Sequence, residues 1–163
     1  MPYSVMHGKQ IISDWIKKQK DILTIVDIGP GYATYPKILG LKYKYKAVEI
    51  WAPYIRQFEL NKIYEEIRIG DIRYTEFPKG DCVIFGDILE HMTKEDARGV
   101  IHRAEESFRH IIISIPIGHC AVDRLWENPF EEHQSVWSFK ELCDIFHDYE
   151  IKEQVKSMAI FCK

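Results

Sequence analysis

Four short apolar runs, each with an acidic residue at or beside its end, constrain the fold of this chain more than any other feature. They occupy residues 23–27, 46–50, 67–71 and 82–87, and a fifth apolar run follows at 110–115. Their length and their content of β-branched residues are typical of buried strands. Because segments with helical periodicity separate them, the pattern predicts a parallel sheet covered on both faces.

Five helices are expected around this sheet. Helical periodicity predicts them at residues 8–20, 33–40, 53–62, 93–108 and 138–146. In the first, Ile12, Trp15 and Ile16 share one face and the lysines lie largely opposite. Pro53 suits the first turn of the third helix, and Thr93 is expected to cap the fourth. Right-handed crossovers through such helices make the sheet doubly wound.

The end of the chain departs from this alternation. Residues 149–154 and 157–162 both read as strands, and only Val155 and Lys156 separate them. So short a link permits a hairpin but not a parallel crossover. The predicted fold class is therefore α/β, with a three-layer, doubly wound, mostly parallel seven-stranded sheet and a terminal antiparallel hairpin. The length suits a single domain over residues 1–163, with the N-terminal helix within residues 1–20.

The acidic residues are expected to lie together at one edge of the predicted sheet. Ligands of open α/β sheets bind at the carboxyl ends of the strands. This chain places Asp27, Glu49, Asp71 and Asp87 there. Four carboxylates at one edge indicate a ligand that carries positive charge and hydroxyl donors.

The glycine-rich turn after the first strand narrows the choice of ligand. Gly29 and Gly31 let the backbone approach a ligand closely, as in dinucleotide-binding enzymes. Asp27, however, would repel a pyrophosphate, and Thr34 stands where those enzymes have a third glycine. A cationic ligand is therefore favoured, and a nicotinamide-dependent reductase is the weaker alternative.

The order of these motifs resembles one family. Val26-Asp27-Ile28-Gly29-Pro30-Gly31 resembles the first motif of class I S-adenosylmethionine-dependent methyltransferases, and Glu49 matches the acid that ends their second strand. Gly70-Asp71-Ile72 resembles their adenine-side loop, and the segment 85–91 resembles their fourth-strand motif. The resemblance covers residues 22–116, and the terminal hairpin extends it. It implies a Rossmann-like methyltransferase fold and S-adenosylmethionine as cofactor, with S-adenosylhomocysteine as product.

The resemblance also implies roles for individual residues in the cofactor site. Glu49 is expected to hold both ribose hydroxyls, Asp71 to take the adenine amino group, and Asp87 to lie beside the methionine moiety. Ile50, Trp51 and Ile72 are candidates to flank the adenine ring, with ordinary core packing as the equal alternative. The complete set of cofactor-binding residues implied in this way is Asp27, Gly29, Pro30, Gly31, Glu49, Ile50, Asp71, Ile72 and Asp87.

Residues 117–138 form the segment expected to face the substrate. A long connection rich in aromatic, acidic and histidine residues is typical of a functional loop. Within it, His133 is the first candidate for a catalytic residue. His91, with Glu90 beside it, is the second, because a general base helps when the acceptor is a hydroxyl or a protonated amine. The pair His119-Cys120 lacks a clear third ligand, so no metal site is predicted.

The leading hypothesis is an enzyme that transfers a methyl group to a small molecule, at oxygen or nitrogen. An RNA- or protein-directed methyltransferase is an alternative, because lysines interleave with tyrosines over residues 35–46 and such surfaces can bind single strands. The net charge of −3 gives no global attraction to nucleic acid, so that acceptor is not favoured. A partner subunit that binds the cofactor without catalysis is a further alternative. The acceptor and the oligomeric state stay open.

The remaining sequence features concern the compartment. No segment approaches the ~20 apolar residues of a membrane span. Residues 1–10 lack the apolar run of a signal peptide. We therefore expect a cytoplasmic protein whose cysteines are reduced and structural. These are Cys82, Cys120, Cys143 and Cys162.

Overall fold

A computed structural model of the protein describes residues 6–118 and 128–163. Seven strands form one sheet: β1 (Thr24–Ile28), β2 (Lys44–Glu49), β3 (Glu66–Ile69), β4 (Cys82–Gly86), β5 (His110–Pro116), β6 (Ile151–Val155) and β7 (Met158–Cys162). Their order across the sheet is β3-β2-β1-β4-β5-β7-β6. The first five strands pair in parallel, so their carboxyl ends lie along the same edge.

Five α-helices lie in the described part of the chain: α1 (Lys9–Lys18), α2 (Thr34–Leu39), α3 (Pro53–Gln57), α4 (Lys94–Ser107) and α5 (Phe139–Ile145). Thr93 caps α4 as predicted, since its side chain accepts a hydrogen bond from the Asp96 amide at 3.1 Å. The predicted helix at 53–62 is wrong in its second half. It ends at Gln57, because Glu59 adopts a positive φ of 52° and a short 3₁₀ turn follows.

The C-terminal strands form the predicted hairpin. β7 lies between β5 and β6 and runs antiparallel to both. Lys156, in the turn between β6 and β7, adopts a positive φ of 55°. The sheet is therefore mostly parallel with an antiparallel end, which confirms the fold class predicted from the sequence.

The sheet buries a hydrophobic core on each face. Neighbouring residues of a strand point to opposite sides of a sheet. Accordingly, Val26 and Phe85 pack with α4 and α5, whereas Ile25 and Ile84 pack with α1 and α2. Burial on both sides explains why the central strands are apolar at nearly every position.

The described residues include three of the four cysteines and the five α-helices, which bear on the expected cellular compartment. Cys82 and Cys162 are buried, Cys143 is half-buried, and all three are free thiols. Cys120 lies outside the described residues. No helix in the described part combines the length and the apolar character that a membrane-spanning segment needs.

Tyr64 ties the segment before β3 to the centre of the sheet. Its buried hydroxyl donates a hydrogen bond to Oδ2 of Asp27 in β1, at 2.7 Å. Because Tyr64→Phe leaves a buried carboxylate with one donor fewer, we expect it to lower the free energy of unfolding by about 1–3 kcal/mol. Urea denaturation measures this change. Tyr74→Phe is the control, since that ring is 81% exposed; equal effects of the two substitutions would contradict the prediction.

Candidate functional site

An open cleft lies at the carboxyl ends of the parallel strands. The structure brings the whole predicted cofactor set to its walls: Asp27, Gly29, Pro30, Gly31, Glu49, Ile50, Asp71, Ile72 and Asp87. The convergence follows from topology, because each residue ends or follows one of four adjacent parallel strands.

The glycine turn after β1 brings backbone close to the cleft. Gly29 has a positive φ of 61°, and its amide donates a hydrogen bond to the Val48 carbonyl at 2.8 Å. A Cβ at this position would lie 2.2 Å from Cδ1 of Ile88. The backbone conformation therefore favours glycine here, and a larger residue would require the end of the Ile88 side chain to shift.

Glu49 is a buried carboxylate at the end of β2. It is 3% exposed, and Oε1 accepts a hydrogen bond from the Trp51 amide at 2.7 Å. Burial raises the pKa of this carboxyl to about 7, although backbone amides oppose the shift. The backbone donor orients the carboxylate, so the group is held ready for a ligand that donates hydrogen bonds.

Asp27 is buried within β1, and burial raises its pKa to about 7. The Tyr64 hydroxyl and the positive charge of Lys9 act in the opposite direction. In the described part of the chain the buried charged side chains are one lysine and four carboxylic acids, namely Lys9, Asp27, Glu49, Glu90 and Glu131. This excess of buried carboxyl groups favours a ligand with positive charge or hydrogen-bond donors.

Lys9 is a functional-site residue that the sequence analysis missed. Although it begins α1, it is 2% exposed, and its Nζ donates hydrogen bonds to the Tyr35 hydroxyl at 2.8 Å and to Ser114 Oγ at 3.0 Å. Oδ2 of Asp87 lies 3.8 Å from the same nitrogen. A signal was present, because Lys9 stands three residues before Ile12 and so shares the apolar face of the helix.

Asp87 and Asp71 occupy the remaining strand ends. Asp87 adopts a positive φ of 59°, and its Oδ1 accepts a hydrogen bond from Ser114 Oγ at 3.3 Å. Asp71 lines the cleft, but its carboxylate pairs with the Arg73 guanidinium, at 2.6 Å to Oδ2. Burial raises the pKa of the Asp71 carboxyl and hydrogen bonds from Arg73 lower it, with a net decrease. An adenine amino group would therefore share this carboxylate with Arg73.

The three candidate catalytic residues come together although His133 is distant in sequence from the adjacent pair Glu90 and His91. Glu90 Oε1 lies 4.0 Å from Nε2 of His91 and 3.9 Å from Nε2 of His133. The two imidazole rings meet edge to face, with centroids 4.9 Å apart. His91 lines the cleft, whereas His133 and Glu90 lie beside it. The geometry therefore favours His91 over His133 as the group nearest to a bound substrate.

The second half of the 117–138 segment covers part of the cleft. Asn128, Phe130, Glu131 and Gln134 line it, and the Tyr54 hydroxyl donates a hydrogen bond to Oε1 of Glu131 at 3.0 Å. These contacts place residues 128–134 at the cleft, and the substrate-side role of the segment stays a prediction. His119 and Cys120 lie outside the described residues.

No protein-family model and no curated protein sequence matches this chain. Solved structures do match it. The PH0226 protein from Pyrococcus horikoshii OT3 has a TM-score of 0.69 at 18% identity, over 95% of this chain and 87% of that one. The 1,6-didemethyltoxoflavin-N1-methyltransferase of Burkholderia thailandensis gives 0.68 at 14% identity, over 95% and 76%. The mitomycin 7-O-methyltransferase MmcR gives 0.62 at 14% identity, over 92% and 52%.

These likenesses establish the fold. The chain adopts the Rossmann-like fold of class I methyltransferases, as the order of its motifs predicts. It spans about half the length of two of the matched structures, with 52% of MmcR covered and 55% of an O-methyltransferase family protein from Burkholderia thailandensis.

Glu49→Gln tests the electrostatics of the free cleft. The folded-state pKa of Glu49 is about 7, above the usual value of 4.5, so the folded protein holds a proton that the unfolded chain releases. Stability from this group therefore falls as pH rises from about 4.5 to about 7 and is constant above. We expect Glu49→Gln to raise the unfolding free energy at pH 8 by about 1–3 kcal/mol, and by less at pH 5.5.

Chemical denaturation of both proteins across this pH range measures the difference. Glu153→Gln, an exposed acid on β6, serves as the control and is expected to give no pH-dependent difference. A Glu49→Gln effect of the same size at pH 5.5 and pH 8 would contradict the assignment.

Proposed function

We propose that this chain is an S-adenosylmethionine-dependent methyltransferase that acts on a small molecule, at oxygen or nitrogen. The observation that carries the proposal is the group of carboxylates at the cleft: Asp27 and Glu49 are buried there, and Asp87 lies beside them. A pyrophosphate would meet repulsion from these groups, whereas an ammonium and a sulfonium would be attracted. Solved structures of the same fold with bound S-adenosylhomocysteine support this choice of cofactor.

Residues of the cleft fit the parts of this cofactor. The oriented carboxylate of Glu49 would accept hydrogen bonds from the two ribose hydroxyls, because two carboxylate oxygens match a vicinal diol. Ile50 and Ile72 offer apolar surface for the adenine ring, and Asp71 would accept from its amino group. The backbone at Gly29 would approach the methionine end of the ligand, beside Asp87. These six positions line one continuous cleft.

When bound, S-adenosylmethionine supplies an activated methyl group, so positioning of the acceptor accounts for much of the catalysis. His91 is placed to take a proton from an acceptor hydroxyl or ammonium. Burial lowers the pKa of His91 to about 4, so its imidazole is neutral near pH 7 and is only a weak base. Residues 128–134 cover part of the cleft and would help to exclude water.

A small-molecule acceptor fits this cleft better than RNA does. Two matched structures are named for small acceptors, mitomycin and 1,6-didemethyltoxoflavin. In the segment 35–46 that motivated the RNA alternative, Tyr35, Tyr43 and Tyr45 are buried and unable to stack on bases. Lysines without exposed tyrosines in the same segment do not form the stacking platform that binds single strands.

Calorimetric titration with S-adenosylhomocysteine tests the cofactor assignment. If the ionised form of Glu49 binds the ribose, affinity rises with pH through the pKa of about 7. We expect roughly tenfold tighter binding at pH 8 than at pH 6. Glu49→Gln should bind at least about tenfold more weakly at pH 8, since a neutral amide accepts less well than a carboxylate. Its pH dependence should be smaller, with the remainder due to Asp27, whose pKa is also about 7.

Glu153→Gln is again the matched control and should bind like the unaltered protein. Absence of S-adenosylhomocysteine binding at both pH values would overturn the proposal. Methyl transfer from labelled S-adenosylmethionine to phenols, catechols or aromatic amines would exclude the inactive partner subunit. A salt-sensitive gel shift with RNA would instead favour the alternative acceptor.

A further inference from the structure

Glu90, His91 and His133 form a group whose chemistry goes beyond proton transfer. One ligand atom from each residue lies within 4.8 Å of the others. The closest carboxylate-to-imidazole distances are 3.9 Å and 4.0 Å, both to Nε2 nitrogens. Two imidazoles and one carboxylate that converge on one point are a donor set that divalent transition metals prefer.

Backbone hydrogen bonds hold these residues together across the fold. The amides of Gln134 and Ser135 both donate to the Glu90 carbonyl, at 2.8 Å and 3.1 Å. They fix the segment around His133 against the short 3₁₀ turn Leu89–His91 that follows β4. Main-chain hydrogen bonds therefore hold together the two segments that carry these three side chains.

The buried and incompletely hydrogen-bonded carboxylate of Glu90 is the observation that points to a ligand. The side chain is 2% exposed, and its Oε2 has no hydrogen-bond partner among the residues that the structure describes. Lys9 contributes positive charge nearby, but its ammonium is bound by Tyr35, Ser114 and Asp87. A buried carboxylate with an unused oxygen is costly unless a cation or a donor compensates it.

The imidazole of His91 is oriented for coordination. Its Nδ1 lies 3.3 Å from the Glu132 carbonyl, which favours a proton on that nitrogen and a lone pair on Nε2. Such a hydrogen bond from the far nitrogen is the usual support of a metal-bound histidine.

We propose that Glu90, His91 and His133 bind a divalent transition-metal cation at the side of the cleft. Bonds of ~2.0–2.1 Å at tetrahedral angles place ligand atoms ~3.3 Å apart, so each side chain needs to move by only a fraction of an ångström. Three protein ligands leave at least one position open, which is typical of catalytic rather than structural sites. The prediction of no metal site considered only neighbours in sequence, and this group joins residues 42 and 43 positions apart.

The open position gives the ion a role in the proposed methyl transfer, and this part of the inference rests on the proposed function. Because His91 lines the cleft, an ion on its Nε2 would reach an acceptor that offers an oxygen donor. The ion would lower the pKa of an acceptor hydroxyl, whose proton passes to solvent. The O–CH₃ bond then forms as the S–CH₃ bond breaks, with the electron pair left on sulfur. His91 would hold the ion instead of taking the proton.

Titration of the tag-free full chain with Zn²⁺ and Co²⁺ tests the site independently of activity. After chelator treatment and dialysis, we expect one equivalent of Zn²⁺ to bind at micromolar concentration. We expect Co²⁺ to give visible d–d bands without a thiolate charge-transfer band. Glu90→Gln, His91→Gln and His133→Gln should each weaken Zn²⁺ binding by at least about 100-fold. His102→Gln is the control, because that histidine is exposed on α4 and pairs with exposed Glu106.

Three results would overturn the metal site. They are no saturable Zn²⁺ binding by the unaltered chain, a thiolate band in the Co²⁺ spectrum, and unchanged Zn²⁺ affinity in His133→Gln. The Co²⁺ spectrum decides the question even if the substituted proteins fail to fold. S-adenosylhomocysteine titration of the unaltered chain separates the two proposals, because it fails only if the proposed function is wrong, whereas Zn²⁺ binding fails only if the metal site is wrong.

Discussion

Parallel strands deliver their carboxyl ends to one edge of a sheet, and in this protein that edge buries carboxylates around the ammonium of Lys9. Desolvation opposes every one of these charges. The Tyr64 hydroxyl on Asp27, the Trp51 amide on Glu49 and the hydrogen-bonded Lys9 each offset part of that cost. The part of the desolvation cost that these contacts do not offset would favour binding of a cationic, hydrogen-bond-donating ligand. Stability and ligand binding are therefore coupled, because the groups that weaken the free fold are those that a ligand would satisfy.

Lys9 extends this coupling to the N-terminal helix. Its Nζ contacts side chains from α2, β5 and the loop after β4, so α1 takes part in the site as well as covering one face of the sheet. A lysine is seldom buried so completely without partners of this kind. The helix is thus positioned by a polar contact at its first turn and by apolar packing of Ile12 and Ile16 further along.

The sequence predicts most of the fold because both of its signals are local. Apolar runs alternating with helical periodicity establish the sheet, and a two-residue link between Gln154 and Ser157 establishes the hairpin. The acids of the cofactor cleft were found for the same reason, since topology brings strand ends together. The break at Glu59 was not predicted, because a left-handed residue in a helical pattern carries no sequence signature. The contact of His133 with Glu90 was equally hidden, since it depends on main-chain hydrogen bonds formed only in the folded chain.

We propose that the carboxylates at the carboxyl ends of the parallel strands favour a cationic nucleoside over a nucleotide that carries a pyrophosphate. Parallel calorimetric titrations of the unaltered chain with S-adenosylmethionine and with NADH, at one pH and one ionic strength, test it most directly. The account predicts saturable binding of one equivalent of S-adenosylmethionine and no measurable binding of NADH at the same concentrations. Binding of NADH as tight as that of S-adenosylmethionine would contradict it.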